Sequence, residues 1–205
     1  MKRRQLIRTI GAGGLAAAAG PAAPGAERDR FRLRYILSSA MYGEMPLADI
    51  LPEVEKTGSE AIDIWCKVHA NHREQIDAMG HAAARSLFEK SAVKPAVFTR
   101  YPLGPFKLGE EMEVARAFGV EILLCGTAKP SGPSGEEAKR AVRGFLEKMK
   151  PHVERAAEHG LTIAVENHSS QLLYHPDSLR YFAEFNKSEH LGVAFAPHHL
   201  HLFVD

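Results

Sequence analysis

The sequence predicts an α/β fold of the TIM (β/α)8 barrel type, with about six βα units present. Three observations predict it. Strand-like and helix-like patterns alternate from Arg32 onward, glycines recur just ahead of strands, and polar residues gather just after them.

Arg34 to Ser39 reads as the first strand, Leu47 to Thr57 as a helix, and Ala61 to Trp65 as the second strand. His72 to Glu89 carries apolar residues at Ile76, Met79, Ala83 and Leu87, which is helical spacing. Ala96 to Thr99 is the third strand, Glu110 to Phe118 a helix, and Glu121 to Cys125 the fourth strand. A long helix over Glu136 to His159 is opened by the capping box Ser134-Gly135-Glu136-Glu137. Leu161 to Val165 makes the fifth strand, Asp177 to Phe185 a helix, and Leu191 to Phe195 the sixth strand. The apolar ending His201-Leu202-Phe203-Val204-Asp205 reads as the start of a further helix.

Gly58, Gly119 and Gly160 each fall one to three residues before a strand, where glycine ends the preceding helix in the left-handed conformation. A strand, helix, glycine, strand cycle of about 30 residues is a βα repeat, so the sheet should be parallel with right-handed crossovers. A doubly wound open sheet repeats in the same way. Against it, Ser38-Ser39-Ala40-Met41-Tyr42-Gly43 after the first strand provides no G-x-G-x-x-G phosphate loop.

Residues 1–26 hold Lys2, Arg3, Arg4 and Arg8 and no acid. Paired arginines, a weakly apolar Gly/Ala-rich run over Ile10 to Ala19 and small-residue cleavage sites at Ala17-Ala18-Ala19 or Pro24-Gly25-Ala26 resemble a twin-arginine signal peptide. The expectation is export to the periplasm or another extracytoplasmic space, without a stable membrane anchor. Residues 27–205 are then the barrel domain. Without those four cations, 22 basic residues face 25 acidic ones, a balance near −3 that argues against a nucleic-acid surface. Cys66 and Cys125 sit in apolar runs and read as buried thiols, with a single bridge between them as the alternative.

In a barrel the loops after the strands build the site. Asp63 and His69 follow strand two, Arg100 and Tyr101 strand three, and Lys129 strand four. Glu166-Asn167-His168 ends strand five, and His198, His199 and His201 follow strand six. If Glu166 points into the barrel, Ala164 and Thr162 do so too, while Val165 and Ile163 face the helices. Glu166 is then a rim carboxylate suited to hold a hard divalent cation or exchange a proton.

Val165-Glu166-Asn167-His168 together with Leu191 to His199 resembles the xylose-isomerase-like TIM barrels, the sugar phosphate isomerases and epimerases related to endonuclease IV. The resemblance covers about residues 33–205. It implies that Glu166 is a metal ligand and catalytic acid/base, and that His199 matches the His of a strand-six Asp-x-x-His. The Asp of that motif falls on Ala196, which cannot ligate. Ile62-Asp63-Ile64, followed by Trp65, matches the family's second strand. Asp63, Trp65, His69 and His168 are the expected substrate contacts, and Glu166 and His199 the expected catalytic and metal residues. The implied cofactor is a divalent metal (Mn²⁺, Mg²⁺ or Zn²⁺), and the implied partner a small sugar or sugar phosphate.

Bland readings compete at several of these positions. Asp63 could cap its loop, Trp65 could be a core aromatic, His199 could be a solvated loop residue, and His81, His152, His159 and His190 read as surface. Six βα units in about 175 residues, against about 250 for a whole barrel, predict a C-terminal truncation. With Ala196 in place of a ligand, the expectation is weak Mn²⁺ or Mg²⁺ binding and no turnover by the 205-residue form. Three functions follow: an exported isomerase or epimerase using metal-assisted proton transfer beside a carbonyl, an inactive carbohydrate-binding or structural barrel, and a metal-dependent phosphodiesterase like endonuclease IV. Charge balance and Ala196 disfavour the third.

Overall fold

Short runs rich in Ile, Val and Leu separated by amphipathic stretches produce six strands and six α-helices among the described residues, with two of the helices between the second and third strands. A computed structural model of the chain describes residues 33–203; the export segment assigned to residues 1–26 lies outside them, as do residues 204–205. The order is β1 (Ile36–Ser38), α1 (Leu47–Lys56), β2 (Ala61–Trp65), α2 (His72–Met79), α3 (His81–Glu89), β3 (Lys94–Thr99) and α4 (Gly109–Ala117). It continues with β4 (Ile122–Gly126), α5 (Gly135–Glu158), β5 (Thr162–Glu166), α6 (Pro176–Phe185) and β6 (Leu191–Ala194). The strands lie side by side as β1-β2-β3-β4-β5-β6, every pair parallel. Among the described residues β1 and β6 each have one neighbour, so both are edges. No helix among the described residues is long and apolar enough to cross a membrane.

Alternation along each strand divides the sheet into two faces. Ile62, Ile64, Phe98, Leu123, Cys125, Ile163 and Val165 are fully buried against the helices and form the main core with Ile50, Met112 and Met149. Each such side chain contributes roughly 1.5–3 kcal/mol on leaving water. The other face carries Asp63 and Trp65 on β2, Thr99 on β3, Leu124 and Gly126 on β4, Ala164 and Glu166 on β5, and Ala194 on β6, in register. The parity expected for Glu166 is therefore the parity found. One irregularity sets it for β3. Ile62 pairs with Pro95 but Asp63 pairs with Val97, a bulge at Ala96 that turns Phe98 toward the helices and Thr99 toward Asp63.

Three local expectations change. The 72–89 stretch is two helices, because Gly80 at φ 83°, ψ 140° breaks it. Ile76, Ala84 and Phe88 then carry the buried face, while Met79 and Ala83 are exposed. No capping box forms at Ser134, whose side chain makes no cap hydrogen bond; instead the Gly135 N–H donates to Asp177 Oδ2 at 2.8 Å, tying α5 to α6. The apolar ending continues as no helix within the described residues. A 3-10 turn spans Pro197–Leu200, and Phe203 packs on Tyr174 and His175 at 5.0 and 4.8 Å. The glycine device holds, with φ of 79°, 69° and 69° at Gly58, Gly119 and Gly160. Cys66 and Cys125 are both buried free thiols rather than a bridge. Burial pushes the Cys125 thiol up to about 12, so it stays protonated and inert.

Candidate functional site

The C-terminal ends of β2, β3, β5 and β6 and the loops after them converge on a cavity of about 760 Å³ lined by Trp65, His69, Tyr101, Glu166, His168, Gln171, His198 and His199, among others. A similar-sized groove between α5 and α6, lined by Arg143, Leu146, Phe185 and Lys187 among others, lies on the helix layer away from every strand C-terminus.

Glu166 ends β5 and points inward. Two residues on, just past the strand, His168 comes to the same side, and His199 arrives from the turn after β6. One donor atom from each of Glu166, His168 and His199 lies within 4.8 Å of the others, and all three are half-buried. The His168 and His199 rings are 4.2 Å apart. His168 Nδ1 contacts the Ser169 carbonyl at 2.9 Å; an N–H donated there leaves the Nε2 lone pair free. Desolvation, then the neighbouring His168 and His198, hold His199 below the ordinary imidazole range, so it is neutral and its lone pair is available at pH 7. The Tyr101 hydroxyl donates to Glu166 Oε2. Burial first, and that bond to Glu166 second, push the Tyr101 phenol well above its usual value, which keeps it a donor.

One carboxylate oxygen and two imidazoles make a donor set that fits a divalent ion. Three protein ligands with open positions is the arrangement of catalytic zinc, and imidazole suits Zn²⁺ better than Mg²⁺. From sequence, the strand-six ligand position at Ala196 read as empty, with His168 a substrate contact. In space His168 is the third donor beside Glu166 and His199. The signal was present in the i, i+2 spacing of an extended segment.

Trp65 walls the cavity, with its ring 5.5 Å from Tyr101 and 5.6 Å from the exposed His69. Asp63 lies behind it and is not a lining residue: its carboxylate accepts Trp65 Nε1–H at 2.6 Å and the Thr99 hydroxyl at 2.8 Å. Its place is support for the Trp65 wall, not the cavity surface. Thr99 and Gln171 escaped the sequence reading, which placed Tyr101 after strand three without giving it a role. Gln171 comes from the loop after β5, and its Oε1 accepts the Thr127 N–H. Gly126, beside Glu166 in the sheet, leaves it room, since a Cβ there would collide with the Gln171 amide.

Burial raises the Asp63 carboxyl to about 7, opposed by the Thr99 and Trp65 hydrogen bonds. A folded-state value above the unfolded one contributes stability that is full below about pH 4 and lost as pH rises through 7. Urea midpoints of the wild type are therefore expected to fall between pH 5 and 8, and this fall should flatten in Asp63→Asn. Parallel profiles for the two proteins would show that Asp63 does not titrate in this range.

Residues 107–205 match the family model described as xylose isomerase-like TIM barrel. No curated protein sequence matches. Among solved structures the chain is similar to the IOLI protein with a binding zinc atom, at 15% identity and TM-score 0.64, covering 82% of this chain and 64% of that one. It is similar to the probable 3-DHS dehydratase AsbF from Bacillus anthracis, at 15% identity and TM-score 0.60, covering 80% and 62%. It is also similar to the 3-keto-D-glucoside 4-epimerase YcjR from E. coli, at 11% identity and TM-score 0.62, covering 85% and 72%. The chain thus spans less than two thirds of the length of the first two. Over its described residues it has the fold of the xylose isomerase-like TIM barrels, and the family's own sequence pattern runs through residues 107–205.

Proposed function

We propose that this chain carries a divalent-metal site for a small polyhydroxylated carbonyl compound and belongs to the isomerase and epimerase class of barrel. The observation that carries this reading is the convergence of Glu166, His168 and His199 within 4.8 Å at the strand C-termini, in a cavity walled by Trp65. The ion would be held by Glu166, His168 and His199, with zinc preferred by the donor set, as a zinc atom is present in the similar IOLI structure. When bound, it supplies Lewis-acid polarisation of a carbonyl oxygen.

The chain's own groups account for the rest. Trp65 presents an apolar ring face on which a sugar can stack, held in place from behind by Asp63. Tyr101 occupies Oε2 of Glu166 and directs Oε1, which has no hydrogen bond among the described residues, toward the cavity. Oε1 is the position at which a proton taken from the carbon beside the carbonyl would reside. His69 and His198, both exposed, stand where substrate hydroxyls would pass.

Because Trp65 is the chain's one tryptophan, its emission reports on the cavity alone. Titrating the Zn²⁺- or Mn²⁺-loaded protein with ketoses should quench it, and the metal-free protein should respond weakly. Exchange of solvent deuterium into the bound ketose then separates chemistry from binding. Ala196 favours the second reading, an inactive carbohydrate-binding barrel, for which binding without exchange is the expected result. Absence of any metal-dependent response to sugars removes both.

The same reading includes export of the protein by the twin-arginine route, supported by the Arg3-Arg4 pair. Replacing both with Lys should leave the precursor in the cytoplasm; unchanged fractionation of that variant removes the assignment.

A further inference from the structure

We propose that Asn167 is a positioning residue that sets His199 relative to Glu166 and His168 by gripping the backbone of residue 196 with both ends of its amide. The inference rests on the metal site described above, and goes beyond it by naming what holds that site's third donor in place.

The β5-β6 ladder reaches Glu166 opposite Ala194. Beyond it the Asn167 side chain makes the connection. Its Nδ2 donates to the Ala196 carbonyl at 2.8 Å, and its Oδ1 accepts the Ala196 N–H at 2.6 Å. Since a backbone N–H can only donate, the amide orientation is fixed. In an extended segment successive side chains alternate, so Asn167 turns away from the cavity that Glu166 and His168 face, and it is fully buried.

The link to His199 is one hydrogen bond long. The Ala196 carbonyl that accepts Asn167 Nδ2 also accepts the His199 N–H at 3.2 Å, closing the 3-10 turn that carries His199. One side chain therefore joins the two donors on β5 to the donor after β6. Asp at this position would lose the Nδ2 donor and bury a charge, and Gln is a methylene too long. Residue 196 is used here through its backbone, which explains how an alanine there is compatible with an assembled site.

The test uses the full chain and Co²⁺ as a spectroscopic probe. Wild-type protein should bind Co²⁺, and Glu166→Gln should not, which establishes the ion site independently. Asn167→Ala should then bind Co²⁺ roughly 10–100-fold more weakly, the scale of losses for supporting residues at metal sites, and with an altered visible spectrum. Hydrogen exchange should show the Ala196 amide protected in the wild type and released in the variant, while Val165 and Val193 stay protected. Asn167→Ser, which keeps a polar side chain too short to reach both atoms, serves if Asn167→Ala does not fold. Wild-type Co²⁺ affinity and spectrum in a folded Asn167 variant overturn the proposal. If the wild type binds no Co²⁺, the metal reading is what fails; the clamp is then judged by exchange alone, and an unprotected wild-type Ala196 amide overturns it.

Discussion

Glu166→Gln is expected to lower Zn²⁺ affinity by more than roughly 100-fold while leaving the fold intact. The figure is a floor, since losing a group that merely supports a metal ligand already costs 10–100-fold. Glutamine preserves the volume and can still accept the Tyr101 hydroxyl, so little packing is lost. It removes the only carboxylate of the triad, leaving two imidazoles and no anionic charge against a dication. The thermal midpoint of the wild type should rise with added Zn²⁺, because a ligand that binds only the folded state stabilises it, and that of the variant should not. Calorimetric titration with Zn²⁺ and with Mn²⁺ measures both the loss and the preference between ions. Tight binding that survives in the variant would place the ion somewhere other than the rim of β5.

Glu111→Ala is expected to destabilise the fold by about 3–5 kcal/mol, the scale for stripping one partner from a buried ion pair. Glu111 on α4 is 5% exposed, and Arg73 on α2 is 3% exposed. The Arg73 guanidinium donates to both Glu111 oxygens, at 2.6 and 3.2 Å, lies 5.6 Å over the Phe98 ring, and has Asp77 as its one other acidic partner among the described residues. Arg100, after β3, approaches the same carboxylate at 3.4 Å. Alanine would leave two guanidinium groups short of their shared acid in low dielectric. Thermal unfolding should show a loss of roughly 10 °C for a domain of this size. The paired replacement Arg73→Met with Glu111→Leu should recover most of it, since apolar residues of similar size substitute well for buried ions. A double variant no more stable than Glu111→Ala would show that the pair itself is worth more than its desolvation cost.

The strand order and the inward parity of Glu166 were legible because they follow from hydrophobic period and glycine placement, which are local. The break at Gly80 was masked by apolar residues that keep helical spacing across it, although glycine there takes φ 83°. Ser134 has the composition of a cap, yet Asp177, 42 residues away, answers the Gly135 N–H instead, and no local pattern contains that contact. At the site, Glu166 and His199 were readable from the resemblance. His168 was readable as a rim histidine but not as a neighbour of His199, because their 4.2 Å separation depends on how β6 turns after residue 196. Asp63 looked like a cavity group and proved to be Trp65's support, a distinction set by the position of Thr99 on the next strand.

The extra residue in β3 makes this strand tolerant of a one-residue loss in a way its neighbours are not. Removing Ala96 would restore plain alternation opposite β2, with Pro95 still opposite Ile62, Val97 opposite Asp63 and everything after it on its present face. Phe98 would stay against the helices and Thr99 on the side of Asp63. Substitutions along 97–99 that respect size can be absorbed one at a time. A one-codon deletion within β5, which pairs without a bulge on both sides, cannot, because it would turn the Glu166 carboxylate toward the helices and away from the rim where the candidate site opens.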